Sequence, residues 1–327
     1  NKYRFDGFGT SAVTLDLAEG GTYIFNYPSA HPFRFSTTSD GTHGGGSEYT
    51  TGVTVLSSTS VQIVVAASAP QLHYFCTIHS GMGGAINTNS TLGSSNFDGS
   101  TQSVAKVNAS AGFSISLYAG NGTTGSTIGH ALGVKPDAII IKCKSNTDSW
   151  MVYHKGVNAG VDPEDYYLNL NNSNAKTNSV IMLNDTAPTS SVVTLQDDSS
   201  VNSNSRTYVM YCFSEVAGYS KFGSYTGNGS SNGPFVYLGF RASFIIIKNT
   251  DRSAPWYIFD IKRNPQNEAL TTLSADSSNA EATDTTFLDI LSNGFKIRNS
   301  GTFRNGNNET LIYLAFSESP FKNARAR

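Results

Sequence analysis

The stretch GYSKFGSYTGNGSSNGPFVYLGFRASFIIIKNTDRSAPWYIFD, residues 218–260, decides the fold because it is a second copy of an earlier stretch. Residues 112–154, GFSISLYAGNGTTGSTIGHALGVKPDAIIIKCKSNTDSWMVYH, carry the same marks in the same order. Both copies contain a Gly-Asn-Gly turn, an Ile-Ile-Ile-Lys run and a tryptophan, at Trp150 and Trp256. The strand that closes each copy also recurs, as YCFSE and as YLAFSE. A repeat of about 105 residues is the size of one small domain.

Each copy has the pattern of an antiparallel β-sandwich. The apolar runs 138–141 and 244–247 predict central strands that are buried on both faces. Gly and Asn suit the turns before them because they tolerate positive φ. We therefore expect an all-β chain in which repeat 1, residues 112–217, and repeat 2, residues 218–327, are related by a pseudo-twofold and share a core.

The first 87 residues are not part of the repeat and predict a small sandwich of their own. Alternation or β-branched enrichment marks strands at 12–17, 22–27, 61–66 and 71–76, with turn residues between them. Residues 88–111 are rich in Ser, Thr and Asn. They predict a linker with one short strand near residues 103–107.

Composition favours some classes of protein and excludes others. Hydrophobic residues make up 38% and charged residues 14% of the chain, with 31 glycines, which is typical of β-rich extracellular or virion proteins. The net charge of −2 gives no attraction to nucleic acid. No apolar run approaches about 18 residues, so we expect no membrane insertion. The three cysteines are widely spaced, which argues against a disulfide scaffold.

One stretch carries a chemical signature. Cys76, His79 and Met82 follow one another as C-x2-H-x2-M, and His31 lies well upstream. A thiolate, two imidazoles and a weak axial thioether are the ligands of a blue-copper site. The short loop lets three ligands converge, and the fourth must come from a neighbouring strand. The alternative is that Cys76 is only a small buried hydrophobic residue.

This pattern resembles the cupredoxins. The resemblance covers nearly all of residues 1–87 and implies a Greek-key sandwich with copper held by His31, Cys76, His79 and Met82. It further implies a redox or metal-stabilising role. The chain departs from many cupredoxins by having Thr77-Ile78, without proline, between the cysteine and the histidine.

The repeats carry no recognisable catalytic pattern. Carboxylates such as Glu164, Asp197 and Asp284 are not duplicated, whereas a glycosidase needs two that face each other. His130 and His154 have no nucleophile at a familiar spacing. We therefore expect no enzyme and no catalytic residues, with a glycan depolymerase as a less favoured alternative. The recurring tryptophans favour core packing over a sugar-stacking platform.

The duplicated region is similar to the C-terminal part of tail-fibre and other virion-surface proteins of tailed bacteriophages of marine bacteria. The segments that carry this resemblance are residues 112–142, YVMYCFSEVAGYSKFGSYTGNG at 208–229 and IYLAFSESPFKNARAR at 312–327. It implies a non-enzymatic structural protein on the virion surface, assembled in the host cytoplasm, as a tail fibre, receptor-binding protein or capsid decoration. Its partners would be other virion proteins, further copies of itself in a trimer, and a host glycan or envelope protein.

Overall fold

The computed structural model describes residues 2–6, 10–66, 69–88 and 93–318, with residues 284–286 described by their backbone alone. The chain divides into two compact units, residues 1–106 and 107–327. Nearly all regular structure in the described residues is β, mostly antiparallel, and this confirms the predicted all-β sandwich class. Among the same residues, no helix has the length and apolar character that crossing a membrane requires.

The first unit is a sandwich of two small sheets. The strands of these sheets are β1 (Leu15–Asp16), β2 (Thr22–Asn26), β3 (Phe33–Ser36), β4 (Val53–Ser57), β5 (Ser60–Val64), β6 (Leu72–Cys76) and β7 (Gly84–Asn87). They are followed by β8 (Ser94–Asn96) and by β9 (Ser103–Asn108), which crosses the boundary between the units at residue 106. One sheet has the order β1-β7-β6-β3, with β1 and β7 parallel, and the other has the order β2-β5-β4. Alternation along the strands directs one side chain in two to the core, so Phe25 is buried while Ile24 is 55% exposed.

Aromatic rings fill the space between the two sheets. Phe33, from one sheet, stacks on Phe25, from the other, with ring centroids 4.8 Å apart. On its other side Phe33 stacks on Tyr74 at 5.2 Å. Stacked aromatic pairs add to the free energy of burial and orient their strands. The position of β3 against β6, on which the site described below depends, is therefore set by packing as well as by backbone hydrogen bonds.

The segment predicted as a linker, residues 88–111, contains regular structure. β8 pairs antiparallel with β9, which covers the short strand expected near residues 103–107. The Ser95 hydroxyl accepts a hydrogen bond from the Asp16 amide of β1 at 2.9 Å. These contacts attach β8 to the first unit.

The second unit contains the two repeats. In repeat 1 the strands are β10 (Phe113–Ala119), β11 (Ser126–Gly129), β12 (Ala138–Cys143), β13 (Met151–His154), β14 (Tyr166–Asn169), β15 (Thr177–Asn178), β16 (Val192–Leu195) and β17 (Thr207–Phe213). In repeat 2 they are β18 (Ser220–Thr226), β19 (Phe235–Tyr237), β20 (Phe244–Asn249), β21 (Tyr257–Asp260), β22 (Ala269–Ser274), β23 (Ala282–Leu291), β24 (Gly294–Ile297) and β25 (Thr310–Phe316), with helix α1 (Thr302–Asn305) before the last.

The two repeats share strand order and register. Repeat 1 has the order β10-β17-β12-β13-β14-β15, and repeat 2 has β18-β25-β20-β21-β22-β23-β24-β19. Ile139 lies opposite Cys212, and Ile245 lies opposite Ala315 at the equivalent place. The repeats differ where β11 pairs with β16 as a separate sheet, whereas β19 and β24 extend the main sheet of repeat 2. That sheet is nearly closed into a barrel.

A pair of asparagines fastens the Gly-Asn-Gly turn in each repeat. Asn202 is fully buried; its side chain accepts from the Asn121 amide at 3.1 Å and donates to the Asn121 side-chain oxygen at 3.1 Å. Asn305, also fully buried, makes the same two bonds to Asn228, each at 2.9 Å. The amide of the turn's second glycine donates to the carbonyl of the buried asparagine in both repeats. We call this arrangement the asparagine clasp.

The clasp predicts a specific loss of stability. Asn202→Ala removes the buried side chain that binds the amide and the side-chain oxygen of Asn121, and we expect this loss to cost about 1–3 kcal/mol. The melting temperature of the second unit in the full chain, measured by calorimetry, is expected to fall accordingly. Asn204→Ala, in the same loop but exposed, is the control and should melt like the wild type. Equal melting of the two variants would contradict a stabilising clasp.

The repeats bury a common apolar face. Ile139 and Ile141 of β12 point into the core of repeat 1, whereas Ala138 of the same strand packs against repeat 2. In β20, Ile245 and Ile247 point into the core of repeat 2. This confirms the central strands buried on both faces. The shared face consists of buried residues from both copies: Ala138, Val152, Val157, Leu168, Phe222, Trp256, Ile312 and Leu314.

Polar groups also tie the repeats together. The buried Trp256 indole donates to the carbonyl of Asn169 at 2.9 Å. The buried ammonium of Lys248 donates to the carbonyls of Ser173 at 3.0 Å and Ala254 at 2.8 Å, so it joins a loop of each repeat. Burial lowers the pKa of Lys248 to about 8. Its counterpart Lys142 donates to carbonyls within repeat 1 alone.

His154 forms another fully buried contact between the repeats. Its Nδ1 accepts from the Gly156 amide at 3.0 Å, so Nε2 carries the proton that is donated to the Tyr313 carbonyl of β25 at 3.1 Å. The bond from the Gly156 amide requires an unprotonated Nδ1, so the two bonds together require a neutral ring. Burial lowers the pKa of His154 to about 3. The histidine is therefore neutral where it connects the repeats at neutral pH.

This pKa predicts acid sensitivity. Below pH 6.5 the unfolded histidine binds a proton that the folded one rejects until about pH 3, so stability falls with pH across that window by about 1.4 kcal/mol per pH unit. The stability of the second unit should be measured by chemical denaturation from pH 7 to pH 4. His154→Gln lacks this titration, so its stability should fall less steeply. Identical slopes in the two proteins would show that His154 does not titrate in this way.

Candidate metal centre

Strand pairing brings the predicted ligands together. β3 and β6 are antiparallel neighbours, and Phe33 lies opposite Cys76. The Thr77 amide donates to the Pro32 carbonyl at 3.1 Å and continues this pairing past the strand ends. His31, two residues before β3, therefore lies beside the loop that begins after Cys76 at the end of β6. Residues far apart in sequence meet because the start of β3 and the end of β6 lie at the same end of the sheet.

His31, Cys76 and His79 form a compact cluster. One ligand atom of each lies within 4.8 Å of the other two. The Nδ1 atoms of the two histidines are 3.2 Å apart, and the Cys76 sulfur is 3.7 Å from the Nδ1 atom of His79. Cys76 is buried, His31 is half-buried and His79 is exposed, so the cluster opens to solvent on the histidine side. In the described residues it is the one group of three or more such side chains close enough to hold a metal ion.

These distances fit one metal ion. Bonds of about 2.0–2.1 Å to nitrogen and about 2.3 Å to sulfur place neighbouring ligands roughly 3.3–3.8 Å apart in tetrahedral or trigonal geometry. The two measured separations, 3.2 and 3.7 Å, lie at or next to this range. Two nitrogens and one thiolate sulfur are a donor set for copper or zinc, and an additional weak thioether favours copper.

The fourth predicted ligand, Met82, lies on the same loop. Its side chain is buried, at 5% exposure, and its carbonyl accepts from the Tyr3 amide at 3.0 Å. The next residue must be glycine, because a Cβ atom on Gly83 would lie 1.9 Å from the carbonyl oxygen of Tyr74. Gly83 therefore lets the chain turn back tightly from the ligand loop into β7.

A second loop holds the ligand loop in place. The Asp40 carboxylate accepts from the Gly81 amide through both of its oxygens, each at 2.9 Å. The Nε2 atom of His43 lies 3.0 Å from the Cys76 carbonyl oxygen, within hydrogen-bond distance. His43 is exposed, yet it touches the backbone of the cysteine ligand. Partners of this kind orient metal ligands.

Tyr3 is the contact that sequence analysis missed. Its phenol donates to the His31 carbonyl at 2.7 Å. Burial raises the pKa of Tyr3, and a hydrogen bond with the Cys76 side chain raises it further. Tyr3 therefore touches the segments that carry His31, Cys76 and Met82. Nothing in its spacing from them signals this, because it precedes the first strand.

The other histidines named by sequence analysis support the scaffold. His130 is fully buried and accepts from the Leu132 amide at 3.2 Å, and His154 joins the repeats. Of the recurring tryptophans, Trp256 lies in the shared face and Trp150 is half-buried. The core-packing role predicted for the tryptophans therefore holds for Trp256, whereas Trp150 is in none of the buried clusters of the described residues.

The candidate carboxylates also have local partners. Glu215, which recurs as Glu318, accepts from the Phe222 amide at 2.9 Å and pairs with Lys155 at 2.8 Å. Asp289 pairs with Arg298 at 3.4 Å. The side chain of Asp284 lies outside the described residues.

Comparison with known proteins identifies a family but no activity. Residues 87–320 match the "Domain of unknown function (DUF7483)". No curated protein and no solved structure gives a significant match to the chain. The matched range begins at the end of β7, so it includes β8, β9 and both repeats and leaves the metal cluster outside. Since the match covers well over half of the sequence, the chain belongs to the DUF7483 family.

Proposed function

We propose that the first unit binds one copper ion through His31, Cys76 and His79, with Met82 as a weak axial ligand. The observation that carries this proposal is the convergence of three ligand atoms within 4.8 Å. They come from two separate parts of the chain, as the ligand pattern requires. Bound copper would supply one-electron redox chemistry or stabilise the native state of the unit.

The surroundings of the cluster support this proposal. The cysteine is buried, which limits contact of the sulfur with solvent and with other thiols. Asp40, His43 and Tyr3 bind the backbone of Gly81, Cys76 and His31, respectively. A site that is held by such contacts before metal arrives loses little conformational entropy on binding.

Copper binding has a direct optical test. One equivalent of Cu(II) added to the full chain should produce an intense blue thiolate-to-copper absorption band. The band should be absent from Cys76→Ser and weakened by His79→Gln, because each variant removes one ligand. The control is His73→Gln. His73 lies on β6 with Cys76 but is not in the cluster, so this variant should keep the band. Wild-type protein that binds no copper, or binds it without the band, would contradict the proposal.

We further propose that the chain is a non-enzymatic structural protein of a bacteriophage virion surface. The observation that favours this role is the way the second unit uses its buried polar side chains. Asn202, Asn305, His154 and Lys248 all bind the backbone or side chains of the scaffold itself. Such contacts make the second unit rigid. The two repeats differ mainly in their surface strands and loops. Rigid scaffolds with variable surface segments suit adhesion or particle stabilisation.

The virion role is tested by locating the chain. Particles purified from a culture infected with the phage that encodes it should contain the chain in stoichiometric amount by mass spectrometry. Cryo-electron microscopy should place it on the particle surface, and sedimentation of the isolated protein should give a trimer. A replication enzyme of the same phage is the control for contamination. Absence of the chain from intact particles would contradict the role.

A further inference from the structure

Strand β19 presents two aromatic side chains to solvent. Phe235 is 46% exposed and Tyr237 is 59% exposed, whereas Val236 between them is buried in the core of repeat 2. The alternation along the strand therefore places both rings on the outer face. Exposed apolar groups that adjoin one another on a surface commonly mark a binding site.

A glycine brings the two rings into one surface. Gly294 of β24 lies opposite Tyr237. A Cβ atom on Gly294 would lie 3.1 Å from the tip of the Phe235 ring, so that ring extends over Gly294 towards the tyrosine. The two aromatic side chains and the glycine share one face of the sheet, and we call this group the β19 platform.

Two lysines flank the platform. The Lys221 ammonium lies 5.4 Å from the centroid of the Tyr237 ring and donates to the Tyr237 carbonyl at 2.9 Å. Lys296 lies opposite Phe235 in β24 and donates to the Gly233 carbonyl at 2.8 Å. Each ammonium has three donors and uses one in these contacts. Both lysines therefore retain hydrogens for a ligand.

Among the described residues, neither lysine of the platform makes an ion pair. Asp289, which lies across from Lys296 in β23, pairs instead with Arg298 at 3.4 Å. Flat aromatic faces beside unpaired ammonium groups are complementary to a ligand that has apolar C–H faces and carboxylates. Sugars that carry carboxylates have both features.

We infer that the β19 platform binds an acidic saccharide of the uronic-acid class. The sugar faces pack on Phe235 and Tyr237, and its carboxylates pair with Lys221 and Lys296. The site belongs to repeat 2 alone, because the equivalent strand β11 of repeat 1 has the sequence STIG and carries no aromatic residue. The inference gives the proposed adhesive role a ligand class, and it rests on that role only for the source of the saccharide.

The binding test uses the purified full chain with two probes, hexagalacturonate and hexamannuronate, and calorimetric titration. Saturable binding to at least one hexauronide is expected, with at least tenfold weaker binding to the neutral maltohexaose. Raising the salt concentration should weaken binding of the acidic probe, since exposed ion pairs are screened. Binding of neither hexauronide, or equal affinity for maltohexaose, would overturn the inference.

Variants localise the site. Replacing both rings by Phe235→Ala and Tyr237→Ala should weaken hexauronide binding at least tenfold, whereas Tyr237→Phe keeps the ring and the affinity. Lys296→Gln should reduce affinity and its dependence on salt. Phe303→Ala removes a ring on α1 that is equally exposed, at 50%, and serves as the control. Unchanged affinity in the double alanine variant, with its melting temperature intact, would overturn the assignment. Absence of the chain from virions would contradict the adhesive role and leave this binding unaffected.

Discussion

The second unit depends on an apolar face that each repeat can bury only against the other. Phe222 and Trp256 from repeat 2 pack with Val152 and Leu168 from repeat 1, and all four are buried. An isolated repeat would expose this face to water at a cost of about 25 cal/mol for each Å². The hydrophobic attraction between the repeats is not directional. The hydrogen bonds of His154 and Lys248 fix how the two repeats are oriented. Duplication therefore produced one folded body.

Burial also determines which polar side chains support the fold and which can bind a ligand. His130 and His154 are polar residues of the repeats that could look reactive in the sequence. Both are fully buried and make hydrogen bonds to backbone groups. In the first unit two histidines and a cysteine meet at the end of a sheet, where His79 is exposed to solvent. The difference arises from topology. A histidine between two packed sheets is kept neutral by burial, whereas a histidine on a loop beyond a strand end is free to bind a metal ion.

Much of the architecture follows from the sequence because it depends on periodicity. The isoleucine runs predicted central strands with two buried faces, and Ile139, Ile245 and their neighbours lie as expected. The C-x2-H-x2-M spacing and a distant histidine predicted four ligands, of which the structure brings His31, Cys76 and His79 together. The prediction was possible because the loop after Cys76 is short and has few conformations available.

Other features could not be predicted because they depend on contacts between distant segments. The extension of the repeat 2 sheet by β24 and β19 has no counterpart in the main sheet of repeat 1, so the duplication gave no guide to it. Tyr3 has no periodic relation to the residues it touches. The asparagine clasp did leave a signal, since Asn202 and Asn305 stand equally far before the equivalent positions Tyr208 and Leu311. Asparagine is so common in loops that this match is visible only once the strands are aligned.

X-ray absorption at the copper edge tests most directly our proposal that the first unit holds the copper site. Full-length protein loaded with copper should bind one equivalent, with two nitrogen ligands and one short sulfur ligand around the metal. The sulfur should disappear in Cys76→Ser, and His130→Gln should leave the spectrum unchanged. A coordination shell without sulfur, or one altered by His130→Gln, would contradict the account.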